Sequence, residues 1–305
     1  MKLRPEDCLP EDAERAILVG RAWVPGDHPG PSPVIIRGAD VIDISDTFPT
    51  MSELLNTESI ENKMGDINGT KIGVIDSLLE NSAWHSQDKK HPYLLAPVDL
   101  QAVKACGVTF AQSMLERVIE ERAKGDPSAA QGIRNDIQKV IGLDLESIIP
   151  GSSEAEQLKE VLIKKDMWSQ YLEVGIGPDA EVFTKAQPMS VMGIGAQIGI
   201  LEKSEWNNPE PEITLAVNAR GKILGATLGN DVNLRDIEGR SALLLGKAKD
   251  NNASAAIGPF IRLFDENFSL DDVRMAELSL TVRGLDQFTL HGRSSMSKIS
   301  RDVTD

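Results

Sequence analysis

Cysteine and histidine are scarce in this chain, and basic residues are outnumbered. Only Cys8 and Cys106 occur, far apart and in no C-x-x-C spacing. That excludes a disulfide scaffold and reads as reduced, structural thiols in a cytoplasmic protein. The four histidines, His28, His85, His91 and His291, are scattered, and neither an H-E-x-x-H zinc signature nor a G-x-S-x-G nucleophile elbow is present. Lys and Arg total 32 against 47 Asp and Glu, a net charge of −15. No basic stripe exists to neutralise phosphates, which argues against nucleic acid as a partner and equally against an anionic membrane surface. No apolar run approaches membrane-spanning length, and the charged start MKLRPEDCLPEDAER lacks the apolar core of a signal peptide. Internal repeats and low-complexity tracts are absent as well.

What remains is ordinary globular material, 41% hydrophobic and 26% charged over 305 residues, enough for a substantial core and two domains. AILVGRAWV at 16–24 and PVIIRGADVIDI at 33–44 read as strands, the second folded back at Gly38. TFPTMSELL opens a short helix, and 56–92 reads as a linker with a strand or helix fragment at 71–80. These make up a small N-terminal domain with its linker, 1–92, and a second domain is expected over 93–305. Within it, 109–124 is amphipathic at helical spacing through Phe110, Met114, Leu115, Val118 and Ile119. Ser153-x-x-Glu156 has the form of a capping box opening a helix through Leu162. A helical insertion of about 108–172 is therefore expected inside a β-rich body. Strands are expected near 181–184, 197–201, 212–218, 222–228, 277–283 and 287–291, with Asn218-Ala219-Arg220-Gly221 as a turn.

The chemistry concentrates in one run. In an extended strand, residues two apart share a face, so Glu210 and Glu212 of NNPEPEITLAV project together, and Asp231 of GNDVNLRD follows after a hairpin. Three carboxylates without histidine make a hard, all-oxygen pocket suited to Mg²⁺ or Mn²⁺ and not to zinc. In a chain with 47 acidic residues an E-x-E pair alone is weak evidence, since it usually marks a solvated strand. Here it sits between apolar, glycine-punctuated strands, and Pro211 removes a backbone donor, as suits a sheet edge. Lys249 follows the apolar run SALLL, where partial burial would let it lose its proton readily. The glycine-rich stretch 192–199 departs from G-x-G-x-x-G and reads as close backbone packing near a site. Gly246-Lys247 is followed by Ala248 where a phosphate loop needs Ser or Thr.

These residues resemble the fumarylacetoacetate hydrolase superfamily, whose metal site is an E-x-E pair followed by Asp and then Lys. The resemblance is closer to its 2-keto-3-deoxy-pentonate dehydratase branch. It is carried by LLAPVDLQ, GVTFA, LERVIEERA, WSQYLEVGIGPDAEVFTK, WNNPEPE, LGNDVNLRD, EGRSALLLGKAKDNNAS and IGPFIRLFDE, from Leu94 to Glu266. It implies an α+β, β-rich fold, a mixed β-sheet roll of the fumarylacetoacetate hydrolase type with a helical insertion and a small N-terminal domain. It also implies a hydro-lyase that dehydrates 2-keto-3-deoxy-D-pentonate to 2-oxoglutarate semialdehyde in pentose catabolism, working as a dimer. Glu210, Glu212 and Asp231 would then hold the metal. Glu181 of EVFTK is the first candidate for the base, and Lys249 for holding the substrate carboxylate or the enolate charge. Lys185, Arg235 and Glu238 would contact the substrate, although Glu181 and Lys185 taken alone read as a solvated strand pair. An ion pair with Arg235 or Arg240 would explain Glu238 equally well.

Two other functions fit the same scaffold, acylpyruvate hydrolysis and oxaloacetate decarboxylation. The hydrolases place a His–Glu dyad where this chain reads GVTFAQSMLER, with no histidine, which favours dehydration. Resembling enzymes also continue past the end SSMSKISRDVTD with strands that close the fold. A shortened, inactive relative is therefore a further alternative, expected to dimerise poorly and to associate through a strand exposed near 287–291.

Overall fold

The computed structural model describes residues 2–107, Gly132 and 148–305. The helix expected over 109–124 lies outside them. The described chain divides into two compact units, one of residues 1–104 and 184–273, the other of 105–183 and 274–305.

The N-terminal strands are β1 (Leu18–Val24), β2 (Gly30–Arg37), β3 (Asp40–Asp43), β4 (Thr70–Val74) and β5 (Tyr93–Leu95). Next come β6 (Val103–Gly107), β7 (Glu181–Ala186) and β8 (Asn207–Asn208). They are followed by β9 (Pro211–Val217), β10 (Ile223–Asp231), β11 (Asn233–Leu234), β12 (Ala255–Ile257) and β13 (Phe260–Leu263). The last pair is β14 (Glu277–Arg283) and β15 (Thr289–Ser295). The helices are α1 (Met51–Asn56), α2 (Ile60–Lys63), α3 (Ile75–Ser82), α4 (Ser153–Lys164), α5 (Gln170–Ile176), α6 (Arg235–Glu238), α7 (Leu245–Lys249) and α8 (Leu270–Arg274).

The first unit is built on a nine-stranded sheet in the order β12-β10-β13-β1-β2-β3-β4, with β5 on β1 and β9 on β10. Alternation along the strands feeds two cores, one on each face. Val19, Ile35, Ile42, Ile261 and Leu263 pack with Met51, Leu54 and Leu55 of α1 and with Ile60 and Met64 at α2. The intervening Leu18, Ala22, Val34, Val41 and Phe260 pack instead with Ile75, Leu78 and Leu79 of α3. Residues 56–92 are thus woven into both cores and do not form a linker. The expected division at 92/93 falls inside the sheet, because β1 pairs antiparallel with both β5 and β13. Gly38, at φ +59°, turns β2 into β3 as its position predicts. Thr50 caps α1 by accepting the Glu53 N–H. From 48 residues on, the buried Asp99 carboxylate accepts the N–H groups of Met51 and Ser52 at 2.6 and 3.2 Å.

In the second unit, α4 begins one residue earlier than the capping box predicts. Ser152, not Ser153, is the N-cap and accepts the Ala155 N–H at 3.2 Å. Arg301 is buried and donates to the carbonyls of Val174, Gly177 and Asp179, which ties down the C-terminal end of α5. The strand expected near 287–291 is longer, 289–295, and pairs along its length with β14. Residues 197–201 form no strand. Gly199 instead donates its N–H to Ala253 and lies so close to Asn252 that a side chain would meet its carbonyl.

Candidate metal and substrate site

The acidic cluster is assembled by one hairpin. β9 pairs antiparallel with β10, setting Pro211 opposite Asn230 and Glu212 opposite Gly229. The turn is Asn218–Gly221, with the Gly221 N–H donating to Asn218 and Gly221 at φ +76°. Glu210 is fixed at the mouth of the hairpin. Its N–H donates to the Asn230 side chain at 3.0 Å, and its carbonyl accepts the Asp231 N–H at 2.9 Å. Among the described residues β9 pairs only with β10, so Pro211 sits on an edge strand, as its missing donor predicts. One carboxylate oxygen from each of Glu210, Glu212 and Asp231 lies within 4.8 Å of the others. The sequence pattern and the structure agree on this trio.

Two lysines meet it. Lys249, at the end of α7, is held by the small core of Leu234, Ile237 and Ala248. Its ammonium donates to Glu210 Oε2 at 2.5 Å and to Asp231 Oδ2 at 3.1 Å. Lys185, from β7, stands 3.0 Å from Asp231 Oδ1 in an ion pair whose angles fall outside those of a hydrogen bond. Its protons go to the carbonyls of Val232 and Lys249 and to Ser254 Oγ.

Electrostatics follow from this crowding. Burial, then Asp231 and Glu210, push the Glu212 carboxyl up from 4.5 to about 8. Burial lowers Lys185 below its ordinary value despite Asp231. Burial alone would lower Lys249 too, but Asp231 and Glu210 together outweigh it and hold Lys249 above its ordinary value. Lys249 is therefore a firm ammonium here, contrary to the expectation that burial lets it shed its proton.

The remaining expected site residues are placed differently. Lys185 is 2% exposed, with its protons directed to Val232, Lys249 and Ser254 and its ammonium beside Asp231, which places it to anchor Asp231. Arg235 lies over the Trp206 ring, 5.6 Å from its centroid. Glu238 accepts from Asn233 at 2.6 Å. Glu181 belongs to the second unit, where its side chain lies over Gly107 and leaves no room there for a Cβ. Sequence reasoning overlooks Asn230, Asn233 and Ser254. The first two stand beside Asp231 in GNDVNLRD, and polar amides in an otherwise apolar strand end are the available signal.

The donor set fits a hard divalent cation. All three candidate ligands are carboxylates, and Asp231 Oδ1, beside the Lys185 ammonium, is buried without a hydrogen bond among the described residues. No helix among the described residues is long and apolar enough to cross a membrane.

Fold and site together define a sheet-rich protein that shares the fold of fumarylacetoacetate hydrolases and carries an acidic cluster that could hold a metal ion. A fumarylacetoacetate hydrolase from psychrophilic Exiguobacterium antarcticum superposes with TM-score 0.51 at 13% identity, over 95% of this chain and 79% of that one. A 2-keto-3-deoxy-D-arabinonate dehydratase in apo form superposes with TM-score 0.61 at 19% identity, over 94% and 79%. The enzyme of the same name complexed with magnesium and 2,5-dioxopentanoate gives 0.58 at 18%, over the same shares. In sequence, a probable 2-keto-3-deoxyxylonate dehydratase of Haloferax volcanii is 36% identical over 128 residues, 42% of each chain. A 2-dehydro-3-deoxy-D-arabinonate dehydratase of Saccharolobus solfataricus is 40% identical over 94 residues, 30% of this chain and 32% of the relative. The matches span less than half the length of these curated relatives. No family model matches the chain.

Proposed function

We propose that this chain is a metal-dependent hydro-lyase that dehydrates a 2-keto-3-deoxy-pentonate to 2-oxoglutarate semialdehyde. The observation that carries the reading is the trio Glu210, Glu212 and Asp231, brought to one point and flanked by Lys249. The names of the similar dehydratases support the substrate class. The magnesium and 2,5-dioxopentanoate carried by the dehydratase of the same fold support the cofactor.

Glu210, Glu212 and Asp231 would hold Mg²⁺ or Mn²⁺. Bound there, the cation supplies Lewis acidity toward the carboxylate and ketone of a 2-keto acid, which makes a C3 proton removable. Glu212, whose carboxyl burial raises to about 8, would have to give up its proton to serve as a ligand. Lys249, which pairs with Glu210 and Asp231, would offer its charge to the substrate carboxylate or the enolate. Lys185 keeps Asp231 oriented from the opposite side. Glu181 is our candidate for accepting the C3 proton, on the resemblance of its EVFTK segment. Loss of that proton and of the C4 hydroxyl removes one water, and proton shifts alone then give the C5 aldehyde. The same reading places the protein in the cytoplasm as a homodimer with reduced thiols, and light scattering tests the dimer.

The test is a substrate panel with Mg²⁺, Mn²⁺ or EDTA: 2-keto-3-deoxy-pentonates, an acylpyruvate and oxaloacetate. Metal-dependent release of an aldehyde from the deoxypentonates alone is the expected result. Turnover of the acylpyruvate or oxaloacetate instead would replace dehydration by hydrolysis or decarboxylation on the same pocket.

A further inference from the structure

Asn233 is buried among the described residues, and its position follows from register. β8 and β11 form a two-residue ladder in which Asn208 faces Asn233, so Asn233 stands beside the chain as it enters Pro209 and Glu210. Its amide nitrogen is shared between two carboxylates. Nδ2 donates to Glu210 Oε1 at 3.1 Å and to Glu238 Oε2 at 2.6 Å. Both partners accept only, so the amide has one orientation. The orientation has a consequence for the other end of the group: Asn233 Oδ1 is buried with no hydrogen-bond partner among the described residues. A buried amide that leaves its oxygen unpaired while committing both protons to carboxylates is placed for its donor side.

The two oxygens of Glu210 therefore have different partners. Oε1 is tied to Asn233, and Oε2 accepts from Lys249, whose ammonium also donates to Asp231 Oδ2. Glu238 and Glu210, both only partly buried, are brought to one donor by this amide, which offsets the repulsion of their like charges.

We propose that Asn233 is a positioning residue of the metal centre. It clamps Glu210 so that Oε2 alone is presented to a divalent cation, and it holds Glu238 beside the centre without letting it become a ligand. The proposal rests on the metal reading above. Its reach is the coordination mode, one oxygen from Glu210, and the exclusion of a fourth carboxylate from the cation.

The experiment uses the full chain and Mn²⁺, followed by titration calorimetry and by electron paramagnetic resonance of the bound ion. Three variants are compared with the parent: Asn233→Leu, which removes the clamp; Asn233→Asp, which keeps the shape and reverses the donor to an acceptor; and Leu54→Ala, a core truncation elsewhere in the same unit. Outer partners of metal ligands typically contribute about 10–100-fold to affinity. Both Asn233 variants are expected to weaken Mn²⁺ binding by about tenfold or more and to alter the resonance line shape. Leu54→Ala is expected to lower the melting temperature and leave both readings as in the parent. Asn233→Asp separates positioning from charge, because added negative charge alone would tighten binding of a cation. If Asn233→Leu fails to fold, Asn233→Asp decides. Parent-like affinity and line shape in the Asn233 variants, or tighter binding in Asn233→Asp, overturns the proposal. A parent chain that binds no Mn²⁺ overturns the metal reading itself, which is a different result.

Discussion

Replacing Glu212 with Gln should move stability in opposite directions depending on metal. In the metal-free protein, burial and the neighbouring Asp231 and Glu210 raise the Glu212 carboxyl from 4.5 to about 8. An acid raised on folding holds its proton more tightly in the folded state. Its contribution to stability is therefore fully present below about pH 4.5 and is lost as pH rises through about 8. A rise of this size corresponds to roughly 4–5 kcal/mol. Side-chain relaxation, chiefly of Lys249, returns part of it, so a swing of about 2–4 kcal/mol is expected. Glu212→Gln imitates the protonated form at every pH, so the metal-free variant should lack this slope and outlast the parent above pH 8. Metal reverses the order. The parent gains stability from Mn²⁺, about 2.7 kcal/mol at a hundredfold excess over the dissociation constant, while the variant, short of an anionic ligand, gains much less. The assay is thermal or urea unfolding at intervals from pH 5 to 9, in EDTA and in Mn²⁺. Superimposable pH profiles for parent and variant in EDTA would refute the electrostatic reasoning, and equal gains from Mn²⁺ would remove Glu212 from the metal site.

Lys249→Met removes the ammonium from a buried pair and leaves its carboxylates unpaired, so unfolding in EDTA should be easier by about 3–5 kcal/mol, with Mn²⁺ restoring much of the loss; an unchanged melting temperature in EDTA would contradict this. Glu181→Gln should slow turnover by about 10²–10⁴-fold, with a matching loss of C3 hydrogen exchange in D₂O by NMR; undiminished exchange would assign the base elsewhere. Asp99→Ala leaves the N–H groups of Met51 and Ser52 without their acceptor, at a cost of about 1–3 kcal/mol in urea unfolding, and a parent-like midpoint would mean that water replaces the carboxylate.

The acidic trio is legible in sequence because strand geometry makes a two-residue spacing meaningful and a glycine at the turn fixes where the chain reverses. The flanking cations are less legible. Whether Lys249 keeps its proton depends on carboxylates 18 and 39 positions away, and no local pattern encodes that distance. Lys185 belongs to a segment that the resemblance assigns to substrate, yet three backbone and hydroxyl acceptors from distant residues consume its protons. Residues 56–92 look polar because α2 has four residues and α3 eight, too few turns for their buried Ile60, Ile75, Leu78 and Leu79 to show a period. Ser152 and Ser153 are chemically equal as caps, and only the backbone conformation chooses between them.

The hairpin that carries Glu210, Glu212 and Asp231 also bears on the order of folding. Its ends are close in the chain, so closing it costs little loop entropy, and by contact order alone it should form early. Yet closure drives three carboxylates together while both compensating lysines lie outside it, at 185 and 249. In the absence of divalent ions the hairpin must wait for β7 and α7, and a local element becomes a late one. Pulse-labelled hydrogen exchange during refolding in EDTA should find the amides of Ile213–Val217 protected no earlier than those of α7, and added Mn²⁺ should advance the hairpin alone. Protection of the hairpin first, in EDTA, would show that backbone pairing outweighs the repulsion.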